Sequence, residues 1–185
     1  MPRPPVYVVL LAVLWLKWSP SASAAETSEY EYKAAFLYNI MKFVQWPESA
    51  LGEGKEALIV AVLGAGAAPE IERTLNGKSV QGRPVVVESH SKATTIGRCH
   101  VLFIKADATS VHQEVLSAME GRPVLTVSEL KGHQASAMIT LLIKRTKLTF
   151  DVDLDAIEAH DMRVSVNLLD LAANVRSTRL KRRPS

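Results

Sequence analysis

Four short runs of apolar residues do most to limit the folds open to this chain. Each run is four to seven residues long, is rich in Val, Leu and Ile, and carries charge only at its ends. Continuous apolar runs of this length are typical of strands that are buried on both faces of a sheet. The runs are 57–63, 83–88, 99–105 and 124–127.

Two helical segments separate these runs. Residues 69–75 begin with Pro69, which suits a first helical turn, and are followed by the stop signal Asn76-Gly77. Residues 107–119 carry apolar side chains on one side and are followed by Gly121. The alternation of strands and helices predicts a single three-layer α/β domain, with a mostly parallel central sheet and helices on both faces.

The pattern changes in the last third of the chain. Residues 137–143 and 147–152 are two β-rich runs joined by a short connection, which predicts an antiparallel hairpin. Polar residues alternate with apolar ones in the second run, so we expect it near the edge of the sheet. Two short helices are predicted at 154–160 and 167–175, the first with Asp153 as its N-cap.

The segment 30–47 predicts a helix that is apolar on more than one side. One stripe of residues recurs at helical spacing: Tyr32, Phe36, Ile40 and Phe43. A second apolar stripe lies beside it, so the apolar arc is wider than a surface helix needs, and we expect the helix to be largely buried. Pro47 disfavours helical geometry at Trp46 and places the predicted end of the helix there.

Residues 1–24 have the pattern of a cleavable signal peptide. Arg3 precedes an apolar run at 6–18, which only Lys17 interrupts, and a small-x-small site ends at Ala24. The run is shorter than the ~20 residues of a membrane span, and no later segment approaches that length without charges. We expect export and cleavage after Ala24, which leaves no transmembrane span. An uncleaved N-terminal anchor is the alternative.

Cleavage would leave 161 of the 185 residues, which is a usual size for one domain. It would remove Arg3 and Lys17 but no acid, so the formal net charge would fall from +3 to +1. We expect a domain at 25–178 followed by a solvated basic tail at 179–185, with weak contact to anionic lipid as the alternative. No basic face interleaved with aromatics is evident, which argues against nucleic acid as a partner.

The sequence contains no recognisable catalytic or metal-binding motif. The five His residues are scattered, and no G-x-S-x-G turn occurs. Asp151, Asp153 and Asp155 alternate as in a calcium loop, but Ala156 and Met162 stand where that loop needs Gly and Glu. We therefore expect no catalytic residue, no metal and no cofactor. A secreted enzyme of unknown chemistry is the alternative.

Gly64 and Gly66 are the strongest signal for a small-molecule site. They follow a buried strand and open a helix, and Glu88 lies about 20 residues further on, as in a dinucleotide fingerprint. Pro69 stands where the third glycine should be, which argues against a dinucleotide. A small anion at the helix N-terminus remains possible. A small-molecule sensor with its pocket at Gly64, Gly66 and Glu88 is thus an alternative function.

Several segments together resemble the YfiR-like family of small periplasmic proteins. The clearest is KAAFLYNIMKFVQWP at 33–47, and the others match in order along essentially the whole chain after the signal peptide. They are 97–104, 121–127, 138–139, 148–152 and 163–175. No single segment is diagnostic, and the resemblance depends on all of them occurring in register.

The resemblance implies a compact periplasmic α/β domain that can form a homodimer and does not catalyse a reaction. It implies that the protein binds the periplasmic part of an inner-membrane diguanylate cyclase and holds that enzyme inactive, so that release of the cyclase raises cyclic-di-GMP synthesis. A sensor kinase is another possible membrane partner.

The chain departs from the family pattern at two places. Some members carry disulfides, whereas Cys99 is the only cysteine here, so no intramolecular disulfide can form and we expect a buried thiol. The glycine pair often found before the hairpin is replaced by Gln-Ala-Ser-Ala at 134–137, which makes that loop less permissive.

Exposed aromatic side chains are the best candidates for a contact with a partner, since such residues dominate interface energetics. We expect Tyr38, Trp46 and Phe150 to form that contact, with the loop that begins at Gln134 as its rim. Ordinary core packing is the alternative for each aromatic residue, and it is the stronger one for Trp46.

Overall fold

The computed structural model describes residues 22–64, 68–130, 137–145 and 147–178. Within these ranges, no helix is both long enough and apolar enough to cross a membrane. The described chain forms two sheets, six α-helices and two 3₁₀ segments.

The main sheet has eight strands in the order β10-β8-β7-β6-β5-β2-β4-β3, and β1 pairs with β9 in a separate ribbon. Strands β4, β2, β5, β6 and β7 are parallel neighbours, while β8 is antiparallel to β7. The strands are β1 Val44–Gln45, β2 Leu58–Leu63, β3 Ser79–Val80, β4 Arg83–His90, β5 Val101–Ile104, β6 Leu125–Ser128, β7 Ile139–Lys144, β8 Lys147–Asp153, β9 Arg163–Val164 and β10 Asn174–Arg176.

Helices pack on both faces of this sheet. The alternation along β2 shows the two faces, because Val60 and Val62 belong to one apolar core and Ala61 and Leu63 to the other. The first core includes α1 and α3, and the second includes α4. The helices are α1 Ala22–Lys42, α2 Glu48–Leu51, α3 Ala68–Leu75, α4 His112–Met119, α5 Leu154–Ala159 and α6 Val166–Leu171, with 3₁₀ segments at Ala93–Thr95 and Ala106–Val111.

The predicted α/β class, the mostly parallel sheet, the hairpin and the helices on both faces are therefore confirmed. The four apolar runs became β2, β4, β5 and β6. The side chains of β2, β5 and β6 are buried because helices cover both faces of the sheet, as the continuous apolar pattern required. Strand β4 lies nearer the edge, and its Val86 is exposed, which the apolar pattern did not predict. The predicted N-cap is also confirmed, since the Asp153 carboxylate accepts a hydrogen bond from the Ala156 N–H at 3.2 Å.

The first helix ends four residues earlier than predicted. It stops at Lys42, and Val44–Gln45 is a strand paired with Arg163–Val164. The amide of Ser165 donates to the Phe43 carbonyl at 3.0 Å, and the Gln81 side chain donates to the Val44 carbonyl at 2.7 Å. These bonds from distant residues favour an extended chain where local pattern favours a helix.

The last predicted helix, 167–175, is also shorter than expected. Helix α6 ends at Leu171, and Asn174–Arg176 is the edge strand β10, parallel to β8. The Asn174 side chain donates to the Asp151 carboxylate at 2.7 Å, and Arg176 forms an ion pair with Asp153. The Asp155 carboxylate accepts a hydrogen bond from the Thr178 N–H at 2.8 Å. The three alternating carboxylates thus hold β10 and the residues that follow it in place.

Candidate functional site

Two of the aromatic residues expected at a partner surface are buried. The Trp46 side chain is in the core, and its indole N–H donates to the His100 carbonyl at 3.1 Å. Phe150 lies on the inward side of β8 and packs edge-to-face on Phe36, with ring centroids 5.4 Å apart. The expectation of exposure is wrong for Phe150, which α1 covers. For Trp46 the structure shows the core packing that was the stronger interpretation, since its ring is bonded to the residue before β5.

Tyr38 is half-buried and connects α1 to the far edge of the sheet. Its hydroxyl donates to the Ser79 carbonyl at 3.1 Å. The ammonium groups of Lys42 and Lys78 lie 4.1 and 5.1 Å from its ring centroid. A ring flanked by two cations presents a positive surface rather than an apolar one. Gln134, the expected rim residue, lies outside the described residues.

His100 joins three separate segments of the core around Trp46. Its Nδ1 accepts the Ile59 N–H at 3.0 Å, and its Nε2 lies 3.0 Å from the Ala50 carbonyl. Since Nδ1 accepts, Nε2–H must be the donor, and the imidazole is neutral. Burial lowers the pKa of His100, which keeps it in that form. This arrangement is structural and fixes α2 against the start of β2.

An apolar groove lies between α1, β8 and α6. Its cavity volume is about 420 Å³. We call it the apolar groove; its apolar lining is Phe36, Ile40, Phe43, Leu148, Phe150, Leu168 and Leu171. The polar side chains of Asn39, Lys147 and Thr149 complete it. Three elements far apart in sequence therefore build one concave apolar surface.

Exposed apolar side chains extend the groove onto the surface. Leu171 in the groove is 66% exposed, Val166 on the same helix is 69% exposed, and Tyr32, one turn before Phe36, is 61% exposed. Large apolar side chains left in water next to a concave apolar surface are typical of a protein contact site. The stripe from Tyr32 to Phe43 was visible in the sequence, but its exposed part was expected to be buried.

Two of the three residues expected to form a small-molecule pocket, Gly64 and Glu88, lie just after β2 and on the neighbouring strand β4 of the sheet. Gly64 lies at the end of β2 with φ of +129°, and a Cβ there would stand 2.6 Å from Asp107 Oδ1. Glycine is needed at this position because the backbone passes so close to Asp107. Glu88 is beside Ala61 in the sheet, three residues before Gly64. Gly66 is outside the described residues.

A buried polar cluster lies at the carboxyl ends of β5 and β6. We define the polar cluster as Tyr30, Lys33, Lys105 and Glu129. The Glu129 carboxylate accepts from the Tyr30 hydroxyl at 3.3 Å and pairs with Lys33 Nζ at 2.5 Å. The Lys105 ammonium lies 4.7 Å from the Tyr30 ring centroid. The cluster was not predicted from the sequence, because Lys33 and Glu129 are 96 positions apart and each has the pattern of an ordinary surface charge.

The polar cluster holds its charges through mutual contacts. Burial raises the pKa of Tyr30, and the nearby Glu129 charge raises it further, so the phenol stays protonated and donates. Burial alone would lower the pKa of Lys33, but hydrogen bonds to Glu129 and Glu29 outweigh burial and raise it. Lys33 is thus a charged, buried ammonium.

The structure also bears on metal and thiol chemistry. In the part of the chain that the structure describes, no three His, Cys, Asp or Glu side chains are grouped to hold a metal ion. Cys99 is buried as expected, and burial raises the pKa of its thiol to about 11. A thiol with that pKa is not a nucleophile at neutral pH.

A family model described as YfiR/HmsC-like matches residues 30–173. The match runs from the polar cluster in α1 to the end of α6 and includes every element of the apolar groove. It covers well over half of the 185 residues. The chain therefore belongs to the YfiR/HmsC-like family.

Proposed function

We propose that this protein is a periplasmic repressor that binds the periplasmic part of an inner-membrane diguanylate cyclase and lowers cyclic-di-GMP synthesis. The observation that carries the proposal is the match of the family model over residues 30–173, because proteins of this family regulate such cyclases from the periplasm. The proposal requires neither a catalytic residue nor a cofactor in this chain.

Repression by binding needs only a difference in affinity. If the cyclase exists in an active and an inactive state, a ligand that prefers the inactive state shifts the population toward it. A preference of about 2–3 kcal/mol shifts a balanced equilibrium strongly toward the inactive state. The repressor can therefore act across the membrane without itself changing shape.

The apolar groove is the surface that suits this contact best. It offers apolar side chains at its base and the exposed Leu171 at its edge. Lys147 lines the groove, and Lys144 and Arg145 are exposed at the same end of the hairpin. A segment of the cyclase with an apolar face and acidic residues at one end would complement this surface.

Substitution at the edge of the groove tests both the function and the surface. Leu171→Glu places a charge in the proposed contact, and Val86→Glu places the same charge on β4, outside the groove lining, at a residue that is 44% exposed. Each variant is used to capture the purified periplasmic domains of membrane-bound diguanylate cyclases and sensor kinases from the same cell.

We expect one cyclase domain to bind the unaltered protein and the Val86→Glu variant equally. Leu171→Glu should weaken that binding at least tenfold, or ~1.4 kcal/mol. Capture of none of the domains by the unaltered protein would contradict the repressor function. Equal binding by all three proteins would instead remove the groove as the contact surface.

A further inference from the structure

A second cavity lies beside the polar cluster and has no assigned function. Its volume is about 230 Å³, and it lies between the start of the buried part of α1 and the hairpin of β7 and β8. One wall is charged and consists of Glu29, Lys33 and Glu129, whereas the opposite wall is apolar and consists of Leu141, Ile143 and Leu148. We call it the strand-end cavity.

The position of this cavity favours ligand binding. In an open α/β sheet, ligands bind outside the carboxyl ends of the strands, where the chain order reverses. Here β2 is followed by β4 on one side and by β5 on the other, so the order reverses between β2 and β5. Ala106 and Glu129 follow the carboxyl ends of β5 and β6 and line the cavity, so it lies at this edge of the sheet but is displaced from the reversal toward β7 and β8.

The net charge of the side chains that line the cavity determines whether a cation or an anion is favoured there. Two carboxylates and one ammonium line the cavity, and the nearby Lys105 ammonium is paired with the Asp107 carboxylate at 3.5 Å, so the group as a whole has one excess negative charge. The Glu129 side chain is only 6% exposed and already accepts from Tyr30, Lys33 and the Ala106 N–H. The Glu29 side chain pairs with Lys33 but is 46% exposed, so part of its surface is open to a ligand. A cation at the cavity mouth would therefore be stabilised, whereas an anion would meet two carboxylates.

We propose that the strand-end cavity binds a small primary amine with an apolar chain, its ammonium against Glu29 and its chain against Leu141, Ile143 and Leu148. The size of the cavity limits the ligand, because sites for drug-sized molecules usually measure ~300–1,000 Å³. The apolar wall supplies the hydrophobic contact, and the exposed fraction of Ile143, 42%, is the surface that the ligand would cover.

The cavity also touches the proposed partner surface. Leu148 lines both the strand-end cavity and the apolar groove, and α1 borders both. An amine that displaces Leu148 would change the shape of the groove and its affinity for the cyclase. This regulatory step rests on the proposed repressor function, whereas the binding of the amine does not.

Titration of the purified protein with three ligands of equal chain length tests the site. Hexylamine, hexanoate and 1-hexanol are added at neutral pH, and binding is followed by calorimetry and by NMR shifts of the Ile143 and Leu148 methyl groups. We expect saturable binding of hexylamine with Kd about 1 mM or below, and binding of hexanoate at least tenfold weaker. Absence of saturation by hexylamine, or equal affinity for all three ligands, would overturn the proposal.

Two charge-matched variants locate the amine. Glu29→Gln removes the excess negative charge of the cavity, and Glu31→Gln removes the same charge from the same helix at a residue that pairs with Arg73 instead. We expect Glu29→Gln to weaken hexylamine binding about tenfold and Glu31→Gln to leave it unchanged, with equal melting temperatures showing that both fold. Equal loss in the two variants would exclude Glu29 as the contact and contradict the proposal.

The regulatory step is tested separately by capture of the cyclase domain in the presence and absence of hexylamine. A change in capture is expected if the groove and the cavity are coupled. Unchanged capture by a protein that binds both ligands would refute the coupling and leave the repressor function intact.

Discussion

Trp46 shows how the fold decides between two environments that the sequence leaves open for one residue. It lies next to Pro47 at the end of a predicted helix, where an aromatic ring often reaches the surface. In the fold it is an inward-facing residue whose indole N–H is paired with the His100 carbonyl. A ring that fills the core and makes a buried hydrogen bond contributes mainly to stability.

We therefore predict that Trp46→Ala lowers the free energy of unfolding by ~3–5 kcal/mol, because it leaves a cavity in the core and removes the indole hydrogen bond to the His100 carbonyl. Tyr32→Ala is the matched control, since that ring is 61% exposed, and it should change stability by no more than ~0.5 kcal/mol. Urea unfolding measures both. A Trp46→Ala variant of normal stability would return Trp46 to the candidates for a partner contact.

His100 makes stability depend on pH. Burial lowers its pKa in the folded state, so the unfolded chain binds the proton more readily. Its contribution to stability is complete above the unfolded pKa of about 6.5 and is lost as the pH falls through the folded pKa. The protein should thus become less stable on acidification, with a slope from His100 of at most ~1.4 kcal/mol per pH unit.

Urea unfolding at about pH 7.5 and at about pH 5.5, compared with a His100→Gln variant, measures this contribution. The variant should show a smaller loss of stability between the two values. A larger loss in His100→Gln than in the unaltered protein would contradict the assignment.

At the scale of elements, the sequence predicted the strands and helices that depend on local pattern. It did not predict the strands and helix ends that depend on pairing between distant segments. The strands β2, β4, β5 and β6 were predictable because continuous apolar runs need burial on both faces. The ribbon of β1 and β9 was not, because two-residue strands have no pattern of their own. For the same reason the ends of α1 and of the last helix were placed too late.

The apolar groove shows the same limit. Its parts were recognisable as apolar stripes on separate elements, but their meeting depends on how α1, β8 and α6 pack. The spacing of apolar residues does not show which part of a stripe stays exposed in the fold. For this reason Tyr32 was expected in the core and Phe150 at the surface. The polar cluster was not predictable, since its charges come from α1 and from the ends of two strands.

Strand β10 provides a test at this scale, because side chains of β8 hold it. Asp153 both caps α5 and pairs with Arg176, whose side chain is 63% exposed. We predict that Asp153→Ala lowers the free energy of unfolding by ~1–2 kcal/mol, mostly through the lost cap. Arg176→Ala should cost less than ~1 kcal/mol, because an exposed ion pair contributes little.

Urea unfolding of the two variants gives the comparison, and hydrogen exchange at Thr178 reports whether β10 stays in place. Equal losses would mean that the ion pair, rather than the cap, holds this region. A greater loss of stability in Arg176→Ala than in Asp153→Ala would contradict the prediction that the cap contributes more than the ion pair.

For the molecule as a whole, α1 connects the features that matter. Its first buried turn lines the strand-end cavity with Lys33, and its last turns line the apolar groove with Phe36 and Ile40. A helix that contributes to both sites places the proposed ligand and the proposed partner on one rigid element. Events at one site can therefore reach the other through α1 as well as through Leu148.

The proposed location in the periplasm depends on residues 1–24, which precede the buried part of this helix. We predict that expression of residues 1–185 in a Gram-negative host yields a chain that begins at Ala25, because signal peptidase recognises small residues at the positions held by Ala22 and Ala24. The mature protein should be recovered from the periplasm. N-terminal sequencing and mass spectrometry give the cleavage position, against the 20.3 kDa of the uncut chain.

Ala24→Arg should prevent this cleavage, because a long charged side chain does not fit the small-residue site. Ser28→Arg adds the same charge after the site and should be processed normally. The uncleaved variant keeps its apolar run and should remain in the membrane fraction. Recovery of the unaltered chain at full length would contradict the signal peptide, and would instead place the domain at the membrane surface through an N-terminal anchor, still within reach of a membrane-bound cyclase.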